Sequence, residues 1–171
     1  MPSLSPTMLA GGTPKGEPPH SIYIIRHAEK PKERGNRDLS REGRSHAESL
    51  ATALPKQLGT LDFLFAAANS RSSKRPLQTL KPLAAGLHLS INEDFPASAY
   101  ATLAAEILDD EKYSRRRGLV CWRHEYIPRL AKKLLASNVP HKWLSIDFTS
   151  IWMLRYESNV SAELTEMRQN V

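Results

Sequence analysis

A three-layer α/β/α sandwich around a mostly parallel central sheet is the fold this sequence predicts, on three observations. Short runs rich in β-branched and aromatic residues alternate with longer stretches of helical periodicity from Ser21 onward. The runs are almost continuously apolar, as strands covered on both faces must be. The chain of 171 residues, 40% hydrophobic and 25% charged, is enough for one domain with a real core.

Residues 1–20, MPSLSPTMLAGGTPKGEPPH, are rich in Pro, Gly, Ser and Thr and carry neither period, which predicts a disordered tail. SIYII (21–25) is the first strand. A helix is expected at about 40–57, where Ala47, Leu50, Ala51 and Leu54 recur at 3.6-residue spacing behind Ser40 as N-cap. DFLFAA (62–67) is the second strand, followed by a helix at about 72–86. In that helix Pro76 suits the first turn, while Pro82 predicts a kink or a second start. LSI (89–91) precedes a helix at 97–110, GLVCW (118–122) precedes one at 127–137, and TSIWMLRY (149–156) is the last strand. The domain is therefore expected at 21–157, with 158–171 as a C-terminal tail.

Composition narrows the function. The single cysteine, Cys121, forms no internal disulfide, and no Cys/His cluster has structural-zinc spacing. The N-terminus lacks a charged segment followed by an apolar one, and no apolar run reaches the length of a membrane span. A soluble, cytoplasmic protein without membrane contact is expected. The balance of 24 Lys+Arg against 18 Asp+Glu gives +6, which favours anionic partners. Arg115-Arg116-Arg117 lacks the aromatic interleaving of a nucleic-acid reader and reads as a solvated loop, so no nucleic-acid partner is expected. Oligomeric state is open.

In a parallel sheet, ligands sit outside the carboxyl ends of the strands. Three apolar strands here end in polar groups: the first in Arg26-His27, the second in ANSRSSKRPLQT, the fourth in Arg123-His124-Glu125. Two histidines and several arginines at one sheet edge suit phosphoryl transfer through a covalent phosphohistidine. An imidazole neutral at one nitrogen attacks, and planar guanidinium forks hold the phosphoryl oxygens. On this reading His27 is the nucleophile, Arg26 and Arg75 form the clamp, and His124 donates to the phosphoryl oxygens. The scheme requires no metal and no other cofactor.

RHAEK (26–30) resembles the Arg-His signature of the histidine phosphatase superfamily, the phosphoglycerate-mutase-like fold. LSREG (39–43) with Ala47, RPLQT (75–79) and LVCWRHEYIPRLAKKL (119–134) are similar to later family motifs in the family's order, and the likeness spans about Ser21 to Tyr156. It implies that Arg26, His27, Arg75 and His124 form the phosphate pocket and that His27 is phosphorylated during turnover. The short chain leaves little sequence for the segments that shield a mutase site, so a small phosphohistidine-phosphatase-type hydrolase is the closer comparison. Its substrate would be a phosphorylated small molecule or a phosphoprotein. The family's usual small residue before the second histidine is Arg123 here, which keeps a catalytically impaired binding or interaction module of the same fold as the alternative. MPSLSPTM resembles a fragment of lipoyl-domain sequence, but no Asp-Lys-Ala attachment turn follows it.

Several roles stay open in the sequence. Arg71 or Lys74 could replace Arg75 as the clamp. Glu93, Asp94 and Glu29 are candidates for the general acid, or there is none. Glu29 could orient an arginine or be a loop charge, and KPKERGNRD (30–38) reads as a mobile charged loop at the mouth. His46 and His88 read as surface residues.

Overall fold

The computed structural model describes residues 16–171. The expected N-terminal tail lies outside the described residues as far as residue 15. Its end does not hang free: Arg115 donates its N–H to the Pro18 carbonyl, His20 donates to the Arg116 carbonyl at 2.8 Å, and Glu17 pairs with Arg115.

Seven strands form one sheet: β1 (Ser21–Arg26), β2 (Phe63–Ala66), β3 (Ile91–Asn92), β4 (Arg117–Trp122), β5 (Ala136–Ser137), β6 (Ser150–Ser158) and β7 (Ser161–Arg168). Their order is β3-β2-β4-β1-β6-β7-β5. The pairs β1/β4, β2/β4, β2/β3 and β5/β7 are parallel, while β6 runs antiparallel to both β1 and β7. Helices α1 (Arg41–Leu58), α2 (Arg75–Leu87), α3 (Tyr100–Asp109) and α4 (Ile127–Lys133) cover the two faces.

Period-2 alternation splits the strands between two cores. Tyr23, Ile25, Leu64, Leu119 and Cys121 pack against Leu50 and Leu54 of α1 and Leu80 and Leu83 of α2. Ile22, Ile24, Phe65, Val120 and Trp122 pack against Leu103 and Ile107 of α3 and Leu130 of α4. This is the predicted three-layer sandwich. Burial holds the Cys121 thiol far above its usual range, so it is an inert core group. No helix among the described residues is long and apolar enough to cross a membrane.

Four expectations are corrected. Residues 158–171 are not a tail, because β7 pairs with β6 from Ser161 to Arg168 and the Gln169 N–H donates to the Thr149 carbonyl. The helix expected to 137 ends at Lys133, and positive φ at Leu135 (70°) turns the chain into β5, which a second positive φ at Asn138 (55°) follows. α2 runs unbroken through Pro82, without a second start, while its buried face of Leu77, Leu80 and Leu83 stays continuous. Arg117 belongs to β4 rather than to a solvated loop, and its side chain donates to the Leu58 carbonyl.

Candidate active site

β1 and β4 lie side by side and parallel, with Arg26 in register with Trp122. The next residues of both strands, His27 and Arg123-His124, therefore leave the sheet at the same edge, and the His27 N–H still donates to the Trp122 carbonyl. β2 flanks β4 and leads through the 67–74 loop into α2, whose first residue is Arg75.

The segment after His27 is fixed from two helices. The Ala28 N–H donates to the Thr79 hydroxyl at 2.9 Å, and that hydroxyl donates to the Arg75 carbonyl at 2.8 Å. Ser40, the N-cap of α1, accepts from the Gly43 N–H and donates to the Glu29 carbonyl at 3.1 Å. A Cβ on Gly43 would stand 2.3 Å from that same carbonyl oxygen, so only glycine lets α1 approach this closely. LSREG and RPLQT are thus the two segments that pin the chain behind His27.

His27 is 3% exposed. Its Nδ1 lies 2.7 Å from the Ala28 carbonyl oxygen. A carbonyl only accepts, so Nδ1 carries the proton and Nε2 keeps its lone pair. Burial, more than the charges of Arg26, Arg75 and His124, depresses the imidazole to about 3, although the Ala28 bond opposes the shift. His27 is neutral at physiological pH.

Arg26 and Arg75 are 2% and 9% exposed. Burial first, and in part the charge of Arg75, lowers Arg26 to about 10. Arg75 is lowered by burial and then by Arg123. One Arg26 terminal nitrogen donates to the Ser145 carbonyl, and its guanidinium carbon sits 3.9 Å from the Phe148 ring centroid. Arg75 donates to the carbonyls of Asn36 (2.8 Å) and Ser72 (3.5 Å). The Nε of each arginine is buried without a partner. Two buried guanidiniums, the charge of Arg75 adding to the cost of Arg26, make a centre of positive potential beside a neutral imidazole.

His124 is half-buried, and burial and then Arg26 lower its pKa. Its Nδ1 lies 3.3 Å from Glu125, whose other oxygen pairs with Arg123 at 2.7 Å. Arg123 also donates to the Ser72 hydroxyl at 3.1 Å, which ties the end of β4 to the loop that leads into Arg75.

The structure therefore brings Arg26, His27, Arg75 and His124 to one edge of the sheet. Arg71 is exposed, and Lys74 is the residue that precedes α2, so neither shares the buried position of Arg75. Glu93 and Asp94 are exposed, and among the described residues neither shares a hydrogen bond or ion pair with the four. Glu29 faces His46 rather than an arginine: His46 Nδ1 lies 2.9 Å and 3.0 Å from its carboxylate oxygens. His46 is no surface residue, because its Nε2 also meets the Gln169 Oε1 at 2.6 Å and its side chain is 8% exposed. His88 is exposed, as expected. The 30–38 loop is anchored to the site, with Arg37 donating to the Ser70 carbonyl and Asn36 accepting from Arg75.

Sequence reasoning missed Ser145 and Phe148, which touch Arg26 from a segment over a hundred residues away, and Thr79, whose role needs the Ala28 contact. Among the described residues no group of three or more His, Cys, Asp or Glu is placed to hold a metal.

No protein-family model matches the chain, and no curated protein matches it in sequence. Its fold does match solved structures. The protein histidine phosphatase SixA complexed with tungstate superposes with a TM-score of 0.59 at 18% identity, over 86% of this chain and 96% of that one. A mycobacterial glucosyl-3-phosphoglycerate phosphatase with inorganic phosphate gives 0.60 at 13% identity, over 89% and 97%. A protein described as mycobacterial hydrolase 1 gives 0.60 at 15% identity, over 89% and 99%. The shared fold is the phosphoglycerate-mutase-like sandwich that the Arg-His motif implies.

Proposed function

We propose that this chain is a metal-independent phosphatase that hydrolyses a phosphomonoester or phosphohistidine through a phosphate bound to His27. The observation that carries the reading is a buried neutral imidazole, its Nδ1–H held by the Ala28 carbonyl, set among the charges of Arg26 and Arg75. Two solved structures of the same fold hold the oxyanions tungstate and phosphate.

Nε2 of His27 attacks phosphorus, and the bond from phosphorus to the leaving group breaks. Arg26, Arg75 and His124 bind the equatorial oxygens as charge develops. Both oxygens of Glu125 are engaged, by Arg123 and His124, so this carboxylate orients the second histidine. The leaving oxygen takes its proton from solvent. Water then attacks the phosphoimidazole, the P–N bond breaks, and inorganic phosphate departs while His27 returns to its neutral form.

The binding-only alternative draws on Phe148, which covers one face of the Arg26 guanidinium. Hydrolysis of p-nitrophenyl phosphate by purified protein separates the two readings. Phosphatase activity abolished by His27→Ala supports the enzyme; phosphate binding without turnover supports the module.

A further inference from the structure

His46 is a buried, titratable side chain that the proposed chemistry leaves unused. It stands on α1 with its side chain 8% exposed and joins two segments that are distant in sequence. Its Nδ1 meets the carboxylate of Glu29, two residues beyond His27, and its Nε2 meets the Gln169 Oε1 at 2.6 Å. The Gln169 N–H donates to the Thr149 carbonyl at 2.8 Å. The residue before Thr149 is Phe148, whose ring covers Arg26 and lies 6.2 Å from the His27 ring. The path that starts beside His27 therefore ends on Arg26.

The topology explains why the path closes. β6 runs antiparallel to β1 with Trp152 opposite Ile24, so the residues that lead into β6 must pass the carboxyl end of β1. Asp147 shapes that approach by accepting from the N–H groups of Thr149 and Ser150, each at 3.0 Å. Burial acts most strongly on both Arg26 and Glu29, and each also feels the charge of the other. Buried ionisable pairs often add little stability over apolar residues of the same volume, but their directional bonds fix position. α1 also grips the same terminal segment at Gln57, which donates to the Arg168 carbonyl at 2.7 Å and accepts from the Asn170 N–H at 3.1 Å. Gln57 tethers the end of β7 to the helix alone; His46 adds the link to Glu29.

We propose that His46 is a positioning residue, which fastens the segment after His27 to the segment that stacks Phe148 on Arg26, so that imidazole and guanidinium keep one relative orientation. The proposal rests on the phosphatase reading of His27 and adds a residue to that site.

The test compares His46→Leu, His46→Gln and Gln57→Ala with wild type. His46→Leu removes both bonds, and should raise KM for p-nitrophenyl phosphate and the dissociation constant of orthophosphate, read by calorimetric titration, about tenfold. His46→Gln carries both a donor and an acceptor and should restore most of each. A merely structural role lowers the folded fraction, which reduces apparent kcat and leaves KM and the dissociation constant unchanged. Gln57→Ala loosens the same segment without touching Glu29, so both constants should stay at their wild-type values. Should His46→Leu not fold, Gln169→Leu cuts the path on its far side and should give the same rise. Unchanged constants in the variant that folds, an equal rise in Gln57→Ala, or a Gln variant as weak as the Leu variant overturns the proposal. Wild type that binds orthophosphate but hydrolyses no ester removes the phosphatase reading alone, and the titration still decides the role of His46.

Discussion

Thr79 accepts the Ala28 N–H at 2.9 Å and donates to the Arg75 carbonyl at 2.8 Å, so one hydroxyl joins the backbone beside His27 to the first turn of the helix that carries Arg75. Thr79→Val keeps the shape and leaves a buried N–H unsatisfied, so it should cost ~1–3 kcal/mol in denaturant unfolding. Thr79→Ser should recover most of the loss. Equal stability of the Val and Ser variants would show that the bond is dispensable.

Gly43→Ala pushes a methyl group against the Glu29 carbonyl at 2.3 Å, and the backbone must move to accept it. A loss of ~1–3 kcal/mol, the scale of core overpacking, is expected on chemical unfolding, together with reduced phosphatase turnover. Ser40→Ala, which removes the N-cap of α1, should cost ~1 kcal/mol. An alanine at 43 with wild-type stability and turnover would contradict the close approach.

Nitrogen-detected NMR of the histidine rings, followed across a pH series, should separate two of them. His27, depressed to about 3, should be neutral with its proton on Nδ1. His46 is raised above the usual imidazole value by its Glu29 and Gln169 contacts, although burial, its largest influence, opposes the shift, so it should titrate well above His27. A His27 signal with the proton on Nε2 would place the lone pair on the wrong nitrogen.

The Glu29–His46 pair predicts a two-sided stability profile. His46 is raised in the fold, so its contribution is complete below the unfolded value of ~6.5 and is lost as pH rises through its higher folded value. Glu29 is lowered in the fold, although burial, its largest influence, acts the other way. Its contribution is present above the unfolded value of ~4.3 and is lost as pH falls through its lower folded value. A double-mutant cycle of Glu29→Gln and His46→Gln, followed by chemical unfolding, should give a coupling that is largest between those limits. A coupling independent of pH would remove the ion pair from the account.

The sequence made the inner half of this molecule legible. SIYII and GLVCW are apolar enough to be strands only in a covered sheet, and the residues after them had to share an edge. That reasoning reached His27 and His124 without side-chain geometry. β7 escaped because it lies in the outer half of the sheet: Ala162 is buried but Glu163, Thr165 and Glu166 are exposed, and the alternation slips before Met167. His46 escaped because its partners, Glu29 and Gln169, are distant in sequence and each is unremarkable alone. Phe148 and Ser145 carry no local pattern and acquire meaning only from the Arg26 guanidinium they touch.

Arg75 can be tested as the anion clamp, against its neighbours, by anion-induced thermal shifts. Phosphate or vanadate should raise the melting temperature by mass action, and Arg75→Ala should remove most of that rise. Arg71→Ala should keep it, because Arg71 is exposed and shares none of the bonds that place Arg75. The reverse ranking would move the clamp to Arg71.

The central claim is that phosphate passes through His27. Brief incubation with ³²P-labelled substrate, followed by an alkaline quench and peptide mapping, should leave label on His27 that survives base and is lost in acid. Label that is absent from wild type during turnover, or turnover that persists in His27→Ala, would contradict the mechanism.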